Sequence, residues 1–135
     1  MSYKIDEIEG IGPAFAEKLG MASIKTTDNL LSNCGDARGR KDVAGKTGLS
    51  EGQLLKWANL ADLMRIDGIG PQFSELLEAA GVDTVKELRT RNAENLAAKM
   101  SEVNEAKHLT RTVPNADMIQ GWIKAAADMD PKITH

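Results

Sequence analysis

The segment Ile8-Glu9-Gly10-Ile11-Gly12-Pro13 returns as Ile66-Asp67-Gly68-Ile69-Gly70-Pro71. The correspondence continues without a gap: Phe15 pairs with Phe73, Glu17 with Glu75, Leu19 with Leu77, Ile24 with Val82, Thr26 with Thr84 and Leu30 with Leu88. A chain that repeats itself in phase folds as two related units, and each unit must contain a turn built on Gly-Ile-Gly-Pro. Glycine accepts backbone conformations that other residues avoid and permits another chain to approach closely. Proline suits the first position of a helix, where its missing N–H costs nothing. The repeat therefore predicts a tight glycine corner that opens directly into a helix, twice. At Gly12 the expected backbone angles are ones a branched side chain resists, so Gly12→Val is expected to disrupt the first unit.

Apolar residues recur at helical spacing almost throughout, and no stretch alternates as a strand would. Tyr3, Ile5 and Ile8 predict a short first helix that stops at Gly10. The helix opened by Pro13 carries Phe15, Ala16 and Leu19 and is ended or loosened by Gly20. Thr26 or Thr27 supplies the cap of the next, which carries Leu30 and Leu31 and closes at Cys34-Gly35. Between Asp36 and Gly48 the chain is polar, with Val43 and Ala44 predicting one short helix. Ser50 and Gln53 form a capping-box pattern before a long helix bearing Leu54, Trp57, Ala58 and Ala61. That pattern runs through Leu63 to Ile66, so the last helix of the first unit leads into the second.

In the second unit, helices are expected over 71–80, at Val85 and Leu88, and around Leu96, Ala97 and Met100 behind Asn92. A charged connection is expected from Glu102 to Pro114, then a final helix with Ile119, Trp122, Ile123 and Ala126. The expected architecture is all-α, with one unit in 1–62 and the other in 63–135, rigidly coupled. Trp57 and Trp122 read as lids over the core, whereas an exposed ring would give a base-stacking platform. Phe15 and Phe73 read as core residues; exposed, they would form a protein-docking patch.

Ile5, Ile8, Gly10, Ile11, Gly12, Ala16 and Leu19 fill the places of the helix-hairpin-helix pattern, as do Leu63, Ile66, Gly68, Ile69, Gly70 and Leu77, with Ser74 where alanine is usual. The corners resemble a hairpin of the X-family repair DNA polymerases. Over nearly its full length, Trp57 and Trp122 included, the chain is similar to a bacterial tandem helix-hairpin-helix family known as a domain of unknown function. The resemblance implies two SAM-like helical bundles that share a long connecting helix. It also implies that main-chain amides at Gly10, Ile11, Gly12, Gly68, Ile69 and Gly70 hold a sugar-phosphate backbone without reading bases. It further implies a monovalent cation held by the carbonyls of Asp6, Ile8 and Ile11, and of Met64, Ile66 and Ile69.

Charge pulls the other way. The chain has a net charge of -3, and nucleic-acid binders usually carry a basic face. Asp6, Glu7, Glu9, Glu17, Asp67, Glu75 and Glu78 surround the corners against Lys4, Lys18 and Arg65. Each like-charge approach reduces the counterion-release term that drives phosphate binding. The candidate basic rim is Arg38, Arg40, Lys41 and Lys46, with Arg89, Arg91 and Lys99 in the second half. Two kinds of partner stay open: DNA or RNA backbone, or a protein for which the chain is a rigid scaffold.

Other classes of function find little in the residues. Gly39 to Thr47 imitates a phosphate-binding Walker loop, but five residues separate its glycines where four are required. No paired carboxylate, His–Cys or Ser–His–Asp set is recognisable, so no catalysis and no cofactor are expected. His108 and His135 lack a second ligand at metal spacing. The single Cys34 fits a reducing cytoplasm. Neither a signal peptide at Met1–Asp6 nor an apolar run long enough to cross a bilayer is recognisable, so no membrane partner is expected.

Overall fold

Capping residues and proline divide the chain into helices at nearly every place the sequence marks. The structure, a computed structural model, describes residues 2–134. Met1 and His135, the latter set aside above as a metal ligand, lie outside the described residues. A single 3₁₀ turn, Ile5–Glu7, comes first. It is followed by α1 (Pro13–Met21), α2 (Thr27–Cys34), α3 (Ala37–Thr47), α4 (Glu51–Leu63), α5 (Pro71–Ala79), α6 (Val85–Leu88), α7 (Ala93–Lys107) and α8 (Ala116–Ala127). The described residues form no named strand; one isolated antiparallel bridge joins Lys4 and Thr26. The all-α expectation holds.

Thr26, Asp36, Ser50, Thr84, Asn92 and Asn115 each accept a hydrogen bond from a backbone amide in the first turn of the helix that follows. Such acceptors satisfy donors that a helix leaves unpaired at its start. At Ser50 the capping box with Gln53 is present.

The buried aliphatic residues fall into two clusters. Ile8, Ile11, Leu19, Ile24, Leu30, Leu54 and Trp57 belong to the first. Their partners in the repeat, Ile66, Ile69, Leu77, Val82 and Leu88, lie in the second with Leu96, Ile119 and Trp122. Helix α4 serves both, giving Leu54, Trp57 and Ala61 to one cluster and Leu63 to the other. Every residue from Trp57 to Leu63 is buried, as expected of a helix packed on all sides. Near the C-terminus the chain returns to the first cluster. Ile133 enters that core, and the Thr134 amide donates to the Gly35 carbonyl at 2.8 Å.

The first helix is one 3₁₀ turn, because Tyr3 and Thr27 exchange hydrogen bonds and hold that segment extended. Helix α4 ends at Leu63, not Ile66; the Arg65 and Ile66 amides close tighter turns on the Asp62 and Leu63 carbonyls as the chain leads toward Gly68. Helix α3 fills most of the polar stretch at 36–48. Helix α7 continues five residues past Glu102, into the expected connection. It stops where His108 takes a left-handed conformation and Asn104 bonds both ways with the backbone of Thr110.

Candidate functional site

The two corners are nearly superimposable in their backbone angles. Gly10 and Gly68 have φ of +92° and +94°, a region that favours glycine. Gly12 and Gly70 have φ of -87° and -93° and are extended. The strain expected at Gly12 therefore lies at Gly10 instead, and a Cβ on Gly12 would meet nothing within 4 Å. The reason is that Gly10 makes the bend, whereas Gly12 occupies the extended position that precedes a helix.

Ile11 and Ile69 point inward and are buried. Their amides donate to the Ile8 and Ile66 carbonyls, both at 3.1 Å. Ile11 and Ile69 thus present no outward donor, which corrects their place among the backbone-binding candidates. It also engages the Ile8 and Ile66 carbonyls, two of the six assigned to a cation. Asp6, Ile8 and Ile11 do share one corner, and Met64, Ile66 and Ile69 the other.

Outward donors remain at the helix starts. No side chain caps α1 or α5, whose N-cap positions are Gly12 and Gly70. The other six α-helices among the described residues all have such a cap. Behind each corner stands a tryptophan. A Cβ on Gly10 would lie 3.6 Å from Trp57 Nε1, and one on Gly68 would lie 3.2 Å from Trp122 Nε1. Both tryptophans are buried, as lids, and neither ring is free to stack on a base. Phe15 packs at a tilt on Trp57 with centroids 5.2 Å apart, and Phe73 on Trp122 at 5.6 Å. Both phenylalanines are half-buried, between the two roles foreseen for them.

Two of the rim cations are engaged by the protein's own acceptors, and one of them, Arg40, is buried. Arg40 is 4% exposed. Its guanidinium donates to the Cys34 carbonyl at 3.0 Å and the Thr134 carbonyl at 2.7 Å. It clamps the returning C-terminal segment, a contact between residues too far apart in sequence for local reading to find. Arg91 is paired with Glu87 at 2.8 Å and donates to the Gly81 carbonyl at 2.9 Å. Arg38 and Lys46 line a shallow groove on α2 and α3 with Asp36 and Asp42, so charge there is balanced. Lys41, Arg89 and Lys99 are exposed. Cys34 beside the Arg40 clamp is buried, and that burial pushes its thiol up to about 11; the Arg40 charge lowers it and Asp36 raises it.

Against the second corner lies an open cleft of about 300 Å³, lined by Gly68, Gly70, Pro71, Gln72 and Phe73, with no cation among them. Gly39 to Thr47 is helical, so the Walker-like string forms no phosphate loop. No group of three or more His, Cys, Asp or Glu side chains among the described residues is placed to hold a metal ion. No helix there is long and apolar enough to cross a membrane.

A duplicated all-α chain with paired glycine corners is the class these observations define. A family model described as a domain of unknown function, DUF4332, matches residues 9–129, and the chain belongs to that family. No curated protein and no solved structure gives a match.

Proposed function

We propose that the chain is a non-catalytic binding module that presents its glycine corners to a protein partner. The observation that carries this reading is the second corner, where the uncapped start of α5 adjoins a cleft walled by Pro71, Gln72 and Phe73 and free of cations. Unpaired amides at a helix start attract an oxygen acceptor. Asp67 and Glu75 in the same region oppose an anion, so an uncharged carbonyl or hydroxyl oxygen fits better than a phosphate. Phe73, braced on Trp122, offers an apolar anchor beside it. The partner would cap α5 from outside and lay an apolar side chain against Phe73.

Nucleic-acid backbone binding through Gly10, Gly12, Gly68 and Gly70 is the second reading, favoured by the same uncapped start in both halves. Internal use of Arg40 and Arg91 weakens it. Gly70→Ser tests the first reading. It adds a cap of the kind found at the other helices, at a position where a Cβ meets nothing within 4 Å. The variant should melt at or slightly above the parent and lose the partner recovered by crosslinking; retained capture sinks the proposal. Anisotropy titrations with single- and double-stranded DNA and RNA should show no salt-dependent binding. Binding that falls steeply with salt and weakens in Arg38→Glu would establish the second reading instead.

A further inference from the structure

Gly52, Leu55, Lys56 and Asn59 form one stripe along α4, and facing them are Glu78, Gly81 and Asp83 around the turn between α5 and α6. The two sides come from different halves of the chain and bound an open cleft of about 310 Å³. That is the low end of the range for small-molecule sites, enough for one small polar guest or one side chain. The cleft is separate from both glycine corners.

Three features define what it would hold. Asn59 is 7% exposed, and its Oδ1 accepts no hydrogen bond. A buried acceptor without a donor is unfavourable, and a guest N–H at the cleft floor would satisfy it once the amide turns to meet it. Glu78 and Asp83 form no salt bridge among the described residues, and Lys56 is the lone cation in the lining. Arg91, which reaches the Gly81 carbonyl, is already tied to Glu87. The neighbourhood is negative as well: burial, then Glu9 and Glu78, raise the Glu75 carboxyl above its ordinary range, opposed by Lys56 and Lys107. Finally, Gly52 leaves the approach open, since a Cβ there would meet nothing within 4 Å.

We infer that this cleft binds a small organic cation rich in N–H donors, a guanidinium or primary ammonium, with Asn59 Oδ1 and the Glu78 and Asp83 carboxylates as acceptors. Leu55 supplies an apolar wall for an alkyl stem. The same chemistry is available from a free alkylguanidine or from an arginine side chain of a peptide.

NMR titration of the isotope-labelled full chain distinguishes these sources. The probes are butylguanidinium chloride, an acetylated and amidated Gly-Arg-Gly peptide, and sodium butyrate as the anionic control. The cationic probes should give saturable shifts at the Asn59 side-chain amide and the Gly52, Gly81 and Asp83 backbone amides, and butyrate none. Tighter binding of the peptide assigns the site to a basic side chain; tighter binding of butylguanidinium assigns it to a free small molecule. Glu78→Gln with Asp83→Asn keeps side-chain volume and should weaken the cation about tenfold. Gly52→Phe fills the cleft and should abolish the shifts at an unchanged melting temperature; should it fail to fold, the charge variants decide. Absence of saturable shifts at Asn59 with both cationic probes overturns the inference. So does affinity unaltered by the paired charge substitution.

Discussion

The two halves reach the same helix start by different chemistry. In the first, the Thr27 amide donates to the Tyr3 carbonyl at 2.9 Å, and the Thr27 hydroxyl accepts from the Tyr3 amide at 3.0 Å. The matching amide in the second half, that of Val85, donates to Asp62 Oδ2 at 2.9 Å. The leading segment is extended in one half and helical in the other. A helical segment spends its carbonyls on itself, so α4 must offer a side chain where residues 3 and 4 offer backbone. Asp62 is buried, and a buried carboxylate needs compensation. Arg65 provides it at 2.7 Å. A duplicated unit can thus keep its hydrogen-bond accounting while changing every group that fulfils it.

Asp62→Ala attacks that difference most strongly. It leaves the Val85 amide and the Arg65 guanidinium without their partner, and should cost about 3 kcal/mol or more in denaturant unfolding. Lys4→Ala, the matching change in the first half, should cost under about 0.5 kcal/mol because only backbone acts there. Equal losses from the two variants would remove the proposed asymmetry.

The corners come next in size. Gly68→Ala places a methyl 3.2 Å from Trp122 Nε1, against 3.6 Å from Trp57 Nε1 in Gly10→Ala. Both substitutions meet an unfavourable positive φ and should cost about 1–3 kcal/mol, with the second half losing more. Gly12→Ala should melt close to the parent, and a large loss there would contradict the extended angles at Gly12.

A gain, not a loss, is expected at Ser23, which sits at φ +63° where its repeat partner Gly81 has φ +96°. Ser23→Gly should stabilise the first half by up to about 1 kcal/mol by removing the left-handed penalty. A destabilised variant would show that the Ser23 side chain does something its geometry does not reveal. The Gly81→Ser variant should lose a similar amount, which closes the comparison from the other side.

Asp62, Arg40 and Arg91 were legible in the sequence only as charges. Their sequence neighbours give no cue that Arg40 is buried on Thr134 or that Asp62 reaches Val85, because each contact spans a loop closure. Asn59 was likewise hidden on a helix whose apolar face drew attention to Trp57. The extension of α7 is not legible in the sequence because its last turns, Glu102 to Lys107, bury almost nothing. Val103 and Asn104 are half-buried, and the other residues of that stretch are exposed. Periodicity has little to report where no face packs.

Read alone, the chain determined its helices, half of their side-chain caps, the presence of a glycine corner in each half, and the tryptophans that cover those corners. Those features are local: a cap needs an acceptor within three residues, and a tight bend needs a residue without a Cβ. Only the tertiary structure decided which arginines are free, where Asn59 faces an opening, and that the C-terminal segment returns to the first core. Such outcomes depend on which distant groups arrive together, and a burial cost becomes visible only when both sides of the contact are in place.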